Sequence, residues 1–390
     1  MQQFDRNSFL NELERDILPF WMDRMTDPAG GFRGRIDGHG NPVNGAEKGA
    51  ILNSRILWTF SAAARMLGRK EYLDTAAMAY SQIKELFTDR EYGGVFWSLD
   101  PDGTPRDTKK QFYAIAFAIY GLSEYYRVTG EKEALELAKS FYRCIEEHSF
   151  DASHNGYSEA CGRDWSPIGD VRLSDKDQND SKTMNTHLHI LEGYTNLYRV
   201  WKDEGLRDRL KNLIVIFTRR IMQDDGHLGL FFGDDWEPHS TMVSYGHDIE
   251  ASWLLREAAE VLGDPLVMEE VNSASSKIAE ASMEGWSPEG GMVYEYDPAS
   301  GHRDDDRHWW VQAETVVGCV DRFGLTGDRI WLERAGMEWK FIRENLISPD
   351  GEWYWSVRED GSLNLADDRA GFWKCPYHNG RMCLEMLARL

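Results

Sequence analysis

The chain has no CxxC pair, no apolar stretch long enough to cross a bilayer, and far fewer basic residues than acidic ones. Its five cysteines, Cys144, Cys161, Cys319, Cys375 and Cys383, are odd in number and widely scattered. That pattern gives no disulfide framework and no thiolate zinc site, and it suits a reducing compartment. No window approaches the roughly 18 apolar residues of a spanning helix, and the opening MQQFDRNSFLNELERDILPFW has no basic segment followed by an uninterrupted apolar one. A cytoplasmic protein with no membrane partner is expected. With 44 Lys and Arg against 66 Asp and Glu, a formal charge of -22 repels phosphate backbones, so nucleic acid is not an expected partner. HExxH is absent too, and no compact three-ligand set stands out, so no protein-bound metal is expected.

Aromatic residues, by contrast, are plentiful: 15 Trp, 16 Tyr and 17 Phe, to be shared between core packing and a cleft that stacks on ligand rings. The length of 390 residues permits either several ordinary domains or one large repetitive one. A repeat decides between them. A Gly-containing turn leading into aromatic or β-branched residues recurs near Gly30, Gly93, Asn155, Gly226, Gly290 and Gly351, at separations of 63, 62, 71, 64 and 61 residues. A nearly fixed period implies one repeated supersecondary unit.

Between these turns lie paired stretches with helical apolar spacing: about 50–66 and 70–87, 109–128 and 132–148, 182–200 and 203–222, 246–262 and 266–283, and 308–325 and 328–345. A helix near 6–22 and another near 373–389 supply a sixth pair. The expected fold is all-α, a single (α/α)6 barrel over residues 1–390. Twelve helices would form two concentric rings, closed by the terminal helices, with short β-hairpin-like connections at one end. Turns such as LGRK (67–70), VTGEKE (128–133) and FGLTGDR (323–329) make neighbouring helices antiparallel. The longest connection, roughly 149–181, is expected over the cleft.

Polar residues recur in the first helix of each pair. Arg55 shares a side of its helix with Ile51, Leu52, Trp58 and Thr59. A buried guanidinium needs a partner, either a Glu from another helix or a substrate oxygen. Asn185 and His189 are four apart and face one way, whereas His187 points elsewhere and reads as a core or supporting histidine. His247 and Glu250 are three apart on one face, where a carboxylate can orient an imidazole, and Asp248 points away. Trp310 and Glu314 share a face of the fifth such helix, and Trp373 precedes His378 in the sixth. Imidazole can give or take a proton near neutral pH, Trp suits the apolar faces of pyranose rings, and Asn, Glu and Arg suit hydroxyls.

Through GAEKGAILNSRILWTF, KKQFYAIAFAIYGLSEYY, SKTMNTHLHILEGY, SYGHDIEASWLL, RHWWVQAE and GFWKCPYHNGRMCLEM, the chain resembles the N-acylglucosamine 2-epimerase family over nearly its whole length. The likeness is greatest to the branch that acts on β-1,4-linked disaccharides. It implies reversible conversion of the reducing-end glucose to mannose, with no nucleotide cofactor and a small sugar as partner. On the family's pattern His378 and His247 are the two bases at C2, His189 assists ring opening, Arg55 serves the carbonyl side, and Glu250 accompanies His247. Asn185, Tyr113, Trp310, Trp373 and Glu314 are then sugar-binding positions, in a monomer or weak homo-oligomer. The chemistry is coherent, since a C2 proton becomes removable only once the ring opens and the C1 carbonyl can take up charge. The rivals are an epimerase or aldose–ketose isomerase acting on free mannose or N-acylhexosamine, and an α/α-barrel glycoside hydrolase using Glu250 and Glu314.

Overall fold

Two kinds of helix alternate along the chain in a computed structural model of the protein, which describes residues 4–390. One kind is buried all round: helix α2 (Ala50–Leu67) buries every residue from Ala50 to Ala64. The other is amphipathic: helix α5 (Lys132–His148) buries only the stripe Ala134, Leu135, Ala138, Phe141, Tyr142 and Ile145. With α2, the all-round kind comprises α4 (Phe112–Thr129), α6 (Met184–Val200), α8 (Tyr245–Leu262), α10 (Trp309–Thr326) and α12 (Tyr377–Arg389). These form an inner ring, each packed on the next, and α12 packs back on α2 to close it. With α5, the amphipathic kind comprises α1 (6–23), α3 (70–87), α7 (204–221), α9 (Pro265–Ser282) and α11 (Arg329–Asn345), which form the outer layer. Helix α1 packs on α12, so the terminal helices make the sixth pair of an (α/α)6 barrel, as the sequence implied. Inner helices approach closely: a Cβ on Gly121 of α4 would lie 2.7 Å from the Ser54 carbonyl oxygen of α2.

Short strands knit each repeat to the next at the N-terminal ends of the inner helices. Lys48–Gly49 pairs with Ser98–Leu99, Lys110–Gln111 with Ala160–Cys161, and Lys182–Thr183 with Phe231–Phe232, all antiparallel. Val243–Ser244 and Arg307–His308 pair likewise with Glu295–Asp297 and Ser356–Val357. The bridge between Ile36 and Ala370 brings the first connection against the last. The first N–H of an inner helix has no partner within the helix, and the neighbouring repeat supplies one. Ala50, Phe112, Met184 and Trp309 donate to the carbonyls of Trp97, Glu159, Leu230 and Trp355. Pairing moves one boundary: α4 starts at Phe112 rather than near 109, because Lys110 and Gln111 are used as strand. Helix α12 starts at Tyr377 rather than near 373, with Pro376 at its cap, since proline fits a helix start but not its interior. Among the described residues no helix is long and apolar enough to cross a membrane.

Glu352 fastens the seam where the ring closes. Its Oε1 accepts from Lys374 Nζ at 2.9 Å and from Asn379 of α12 at 2.6 Å, while its Oε2 accepts from Trp21 Nε1 of α1 at 2.5 Å. Lys374 and Glu352 are both fully buried. Removing one member of such a pair strands the other charge in the interior. Glu352→Ala is therefore expected to cost about 3–5 kcal/mol of stability. Urea unfolding of the variant checks this, and a loss below about 1 kcal/mol, the range of surface pairs, would show the seam to be held elsewhere.

Candidate active site

The side chains of the first turns of the inner helices converge at the end of the barrel that carries the strands. From α12, His378 Nδ1 lies 2.7 Å from Glu314 Oε1 of α10, and Trp253 Nε1 of α8 donates to Glu314 Oε2 at 3.0 Å. An ionised carboxylate only accepts, so Nδ1 carries the hydrogen and Nε2 keeps its lone pair. His189 of α6 has the same arrangement, its Nδ1 lying 3.0 Å from Glu192 Oε2 one helical turn on. His247 of α8 has no carboxylate on Nδ1; the Ser244 hydroxyl lies there at 2.8 Å. Trp310 joins two of the imidazoles, with ring centroids 4.7 Å from His247 and 5.5 Å from His378. Gly246 makes room for it, since a Cβ there would sit 2.6 Å from the Trp310 ring.

Arg55 of α2 completes the wall. Its Nη2 donates to the Tyr113 hydroxyl of α4 at 2.7 Å and its Nη1 to the Trp373 carbonyl at 3.3 Å. Its guanidinium lies 4.2 Å from the Phe117 ring centroid and 4.7 Å from that of Tyr377. Among the described residues no carboxylate pairs with Arg55, although it is only 3% exposed, and its Nε has no hydrogen-bond partner. The Glu partner weighed from the sequence is thus not there. Tyr113 also packs edge-on against His189, with centroids 4.8 Å apart, and faces Trp373 at 6.4 Å. Asn185 shares a cavity of about 60 Å³ with His247, Leu173 and Asp177, and its buried Oδ1 has no partner.

Arg381 sits among three carboxylates behind the histidines. Its Nη2 donates to both Glu250 Oε1 and Glu314 Oε1 at 2.6 Å, and its Nη1 to Glu192 Oε1 at 2.5 Å. Glu314 and Glu192 are held below the ordinary carboxylate range: desolvation acts against them, but Arg381 and the neighbouring histidine prevail. Glu250 is pushed up, by desolvation first and then by the charge of Glu314. Burial lowers His247 and His378 to about 3, and lowers His189 as well, so all three are neutral bases in the free protein at neutral pH. Ligand atoms of Glu250, Glu314 and His378 lie within 4.8 Å of one another, as a metal would need, but the cation between the two carboxylates is Arg381. Asp304, Asp306 and His308 form a second such group, partly exposed.

The structure therefore gathers Arg55, Tyr113, Asn185, His189, His247, Glu250, Trp310, Glu314, Trp373 and His378 at one end of the ring. Two assignments need correction. Glu250 does not orient His247; it bonds Arg381 and lies 3.9 Å from His378 Nδ1, because its neighbour across the ring is α12. Glu314 is not free to bind sugar with both oxygens; it is buried and orients His378. His187 is a supporting histidine, with Nδ1 on the Thr183 carbonyl and Nε2 accepting from Tyr157 N–H. Asp248 points away, holding His227 Nδ1 at 2.7 Å. Sequence reading missed Glu192, Trp253, Tyr377 and Arg381. Glu192 and Arg381 each stand three residues after a site histidine, a legible spacing whose cross-helix partners are not legible.

A twelve-helix double ring with histidines, acids and tryptophans at one mouth is an architecture for acting on sugars, and the chain belongs to the N-acylglucosamine 2-epimerase (GlcNAc 2-epimerase) family, whose profile matches residues 30–380. It is 56% identical over 390 residues to a cellobiose 2-epimerase of Bacteroides fragilis, covering 99% of this chain and 100% of that one. It is 41% identical to a cellobiose 2-epimerase of Ruminococcus albus, with 97% of each chain covered. Among solved structures, cellobiose 2-epimerase from Bacillus thermoamylovorans superposes with a TM-score of 0.95 at 41% identity, covering 100% of both chains.

Histidines depressed in the native state bind fewer protons than the unfolded chain between pH about 6.5 and about 3, so they lower stability as the pH falls through that window. Because His247→Asn removes one such group, the change in thermal unfolding midpoint between pH 7 and pH 4 is expected to be less unfavourable in that variant than in the wild type. Scanning calorimetry across that range checks it; parallel slopes for the two proteins would mean that His247 titrates normally.

Proposed function

We propose that the protein reversibly epimerises C2 of the reducing-end glucose of β-1,4-linked disaccharides, converting cellobiose to glucosyl-mannose. The observation that carries this reading is the pair of neutral imidazoles of His247 and His378 about one Trp310 ring, with the carboxylate-free guanidinium of Arg55 in the same wall. After ring opening, one neutral imidazole removes the C2 proton and becomes imidazolium while electron density moves onto the C1 oxygen as an enediolate. The opposite ring, which takes up a proton from solvent before this step, delivers it to the other face of C2 and is left neutral, and exchange with solvent then resets the pair. Arg55 stabilises that oxygen's charge, which supplies the anionic partner its own surroundings lack. The N-terminal ends of six inner helices point the same way and favour negative charge. His189, backed by Glu192, assists the proton transfers of ring opening and closure. Glu314 steadies the imidazolium that forms on His378.

Disaccharide preference is supported by the likeness to cellobiose 2-epimerases and by the space outside the histidines. A cavity of about 310 Å³ beside Trp373 is lined by Trp97, Lys109, Asp175 and Phe372, surfaces suited to a second ring. The hydrolase alternative fares poorly: Glu250 and Glu314 both turn to the same guanidinium instead of flanking a gap for a glycosidic oxygen.

Cellobiose is expected to have a higher kcat/KM than free glucose, mannose or N-acetylmannosamine, followed by NMR of each reaction. In deuterated water the mannose-ended product should carry deuterium at C2. Two monosaccharides as the only products from cellobiose would overturn the reading. His378→Ala and Arg55→Met are each expected to lower kcat by about 10²–10⁴-fold and 10²–10³-fold in folded protein. Near-normal turnover in either variant would remove that residue from its assigned role.

A further inference from the structure

Arg381 touches none of the reacting atoms in this scheme, yet it contacts five side chains from three other positions on the ring and its own helix. Besides its bonds to Glu192, Glu250 and Glu314 it contacts the Tyr377 hydroxyl, and its guanidinium stacks 4.1 Å from the Tyr377 ring centroid and 4.7 Å from that of Trp253. Among the described residues it is the only Lys or Arg within ion-pair distance of those three carboxylates. One arm of the guanidinium reaches the carboxylate behind His189, and the other reaches the carboxylate behind His378. Simple neutralisation would need only a point charge. A planar fork adds fixed directions, so two carboxylates on different helices take their positions from one rigid group.

We propose that Arg381 is a positioning residue for epimerisation, bridging the carboxylate that orients His189 to the carboxylate that orients His378, so that one guanidinium sets the orientation and proton balance of both imidazoles. The inference rests on the functional reading above for its catalytic consequence, but the coupling itself is a property of the free protein. When one imidazole gains a proton, its carboxylate is drawn toward the new cation and shares less charge with Arg381. The guanidinium then interacts more strongly with the other carboxylate, and the second imidazole is less able to take up a proton. Charge thus tends to reside on one histidine at a time, as a relay between ring opening and C2 chemistry requires. The other titratable or charged groups facing these two histidines are Arg55 on α2, Tyr113 on α4, His247 and Glu250 on α8, and Tyr377 on α12. None of these bridges the two carboxylates.

The test uses full-length enzyme with 15N-labelled histidine, the His189 and His378 signals being assigned through His189→Asn and His378→Asn. In wild type both rings are expected as the Nδ1–H tautomer. Arg381→Lys keeps the charge but not the fork. Both rings should then lose the single tautomer, and kcat for cellobiose should fall about 10–100-fold with KM changed less than about threefold, the scale of losing an orienting partner. A folded Arg381→Lys variant with wild-type tautomers for both rings would overturn the proposal whatever its activity. Should that variant not fold, Glu192→Gln carries the test: loss of this carboxylate, which does not touch His378, should lower the His378 titration midpoint by at least half a pH unit, and an unmoved midpoint would overturn the bridge. Altered tautomers in an enzyme whose wild type epimerises none of the sugars would instead sink the functional reading and leave the bridge standing.

Discussion

The rest of the site depends on a buried ion cluster at the centre of the inner ring, one guanidinium facing three carboxylates. Arg381, Glu192, Glu250 and Glu314 are each 1% exposed, and they come from α12, α6, α8 and α10. Desolvating such groups is so costly that they persist only with close, directional partners. Here those partners are arranged around one fork, which fixes four helices relative to one another. Because Glu192 turns its other oxygen to His189, and Glu314 shares with His378 the oxygen that Arg381 holds, the same constraint that holds the helices also aims two imidazoles. Helix packing and imidazole orientation are thereby linked at this point.

Arg55 is the counterpart to that closed cluster. Its cation lies against Phe117 and Tyr377 and bonds only neutral oxygens and a thiol. A site satisfied in advance would gain nothing when negative charge develops, whereas a guanidinium left without a carboxylate gains most at that moment. The same division runs through the histidines. Two are backed by carboxylates and one, His247, only by a serine hydroxyl, so the pair about Trp310 is chemically unequal. Unequal bases fit a reaction whose two directions begin from different faces of the same carbon.

The scaffold that permits this is made of modest local interactions repeated around a circle. Two- and three-residue strands would be negligible in isolation, but each satisfies orphan N–H groups at the start of an inner helix and links one repeat to the next. The helix ends at the mouth are thus held firmly while the connections between them remain free to vary. Residues 149–181 exploit that freedom. Gln111 Nε2 holds the carbonyls of Val171 and Arg172, which brings Leu173 and Asp177 over Asn185 and His247.

The architecture was legible in the sequence because a closed repeat imposes one period on turns and helices alike, and all-round or one-sided burial follows from apolar spacing along each helix. The same spacing identified the residues that face the cleft: Arg55, His189, His247, Trp310 and His378 lie within the first two turns of their helices, where geometry along a single helix is enough. Partner choice was not legible. Glu250 stands three residues after His247 and shares its helix face, yet bonds Arg381; Glu314 reads as a sugar ligand and instead orients His378. Which carboxylate meets which imidazole depends on the axial stagger and rotation of neighbouring helices around the ring. Those quantities are set by packing across the whole circle, so only the tertiary structure decided them.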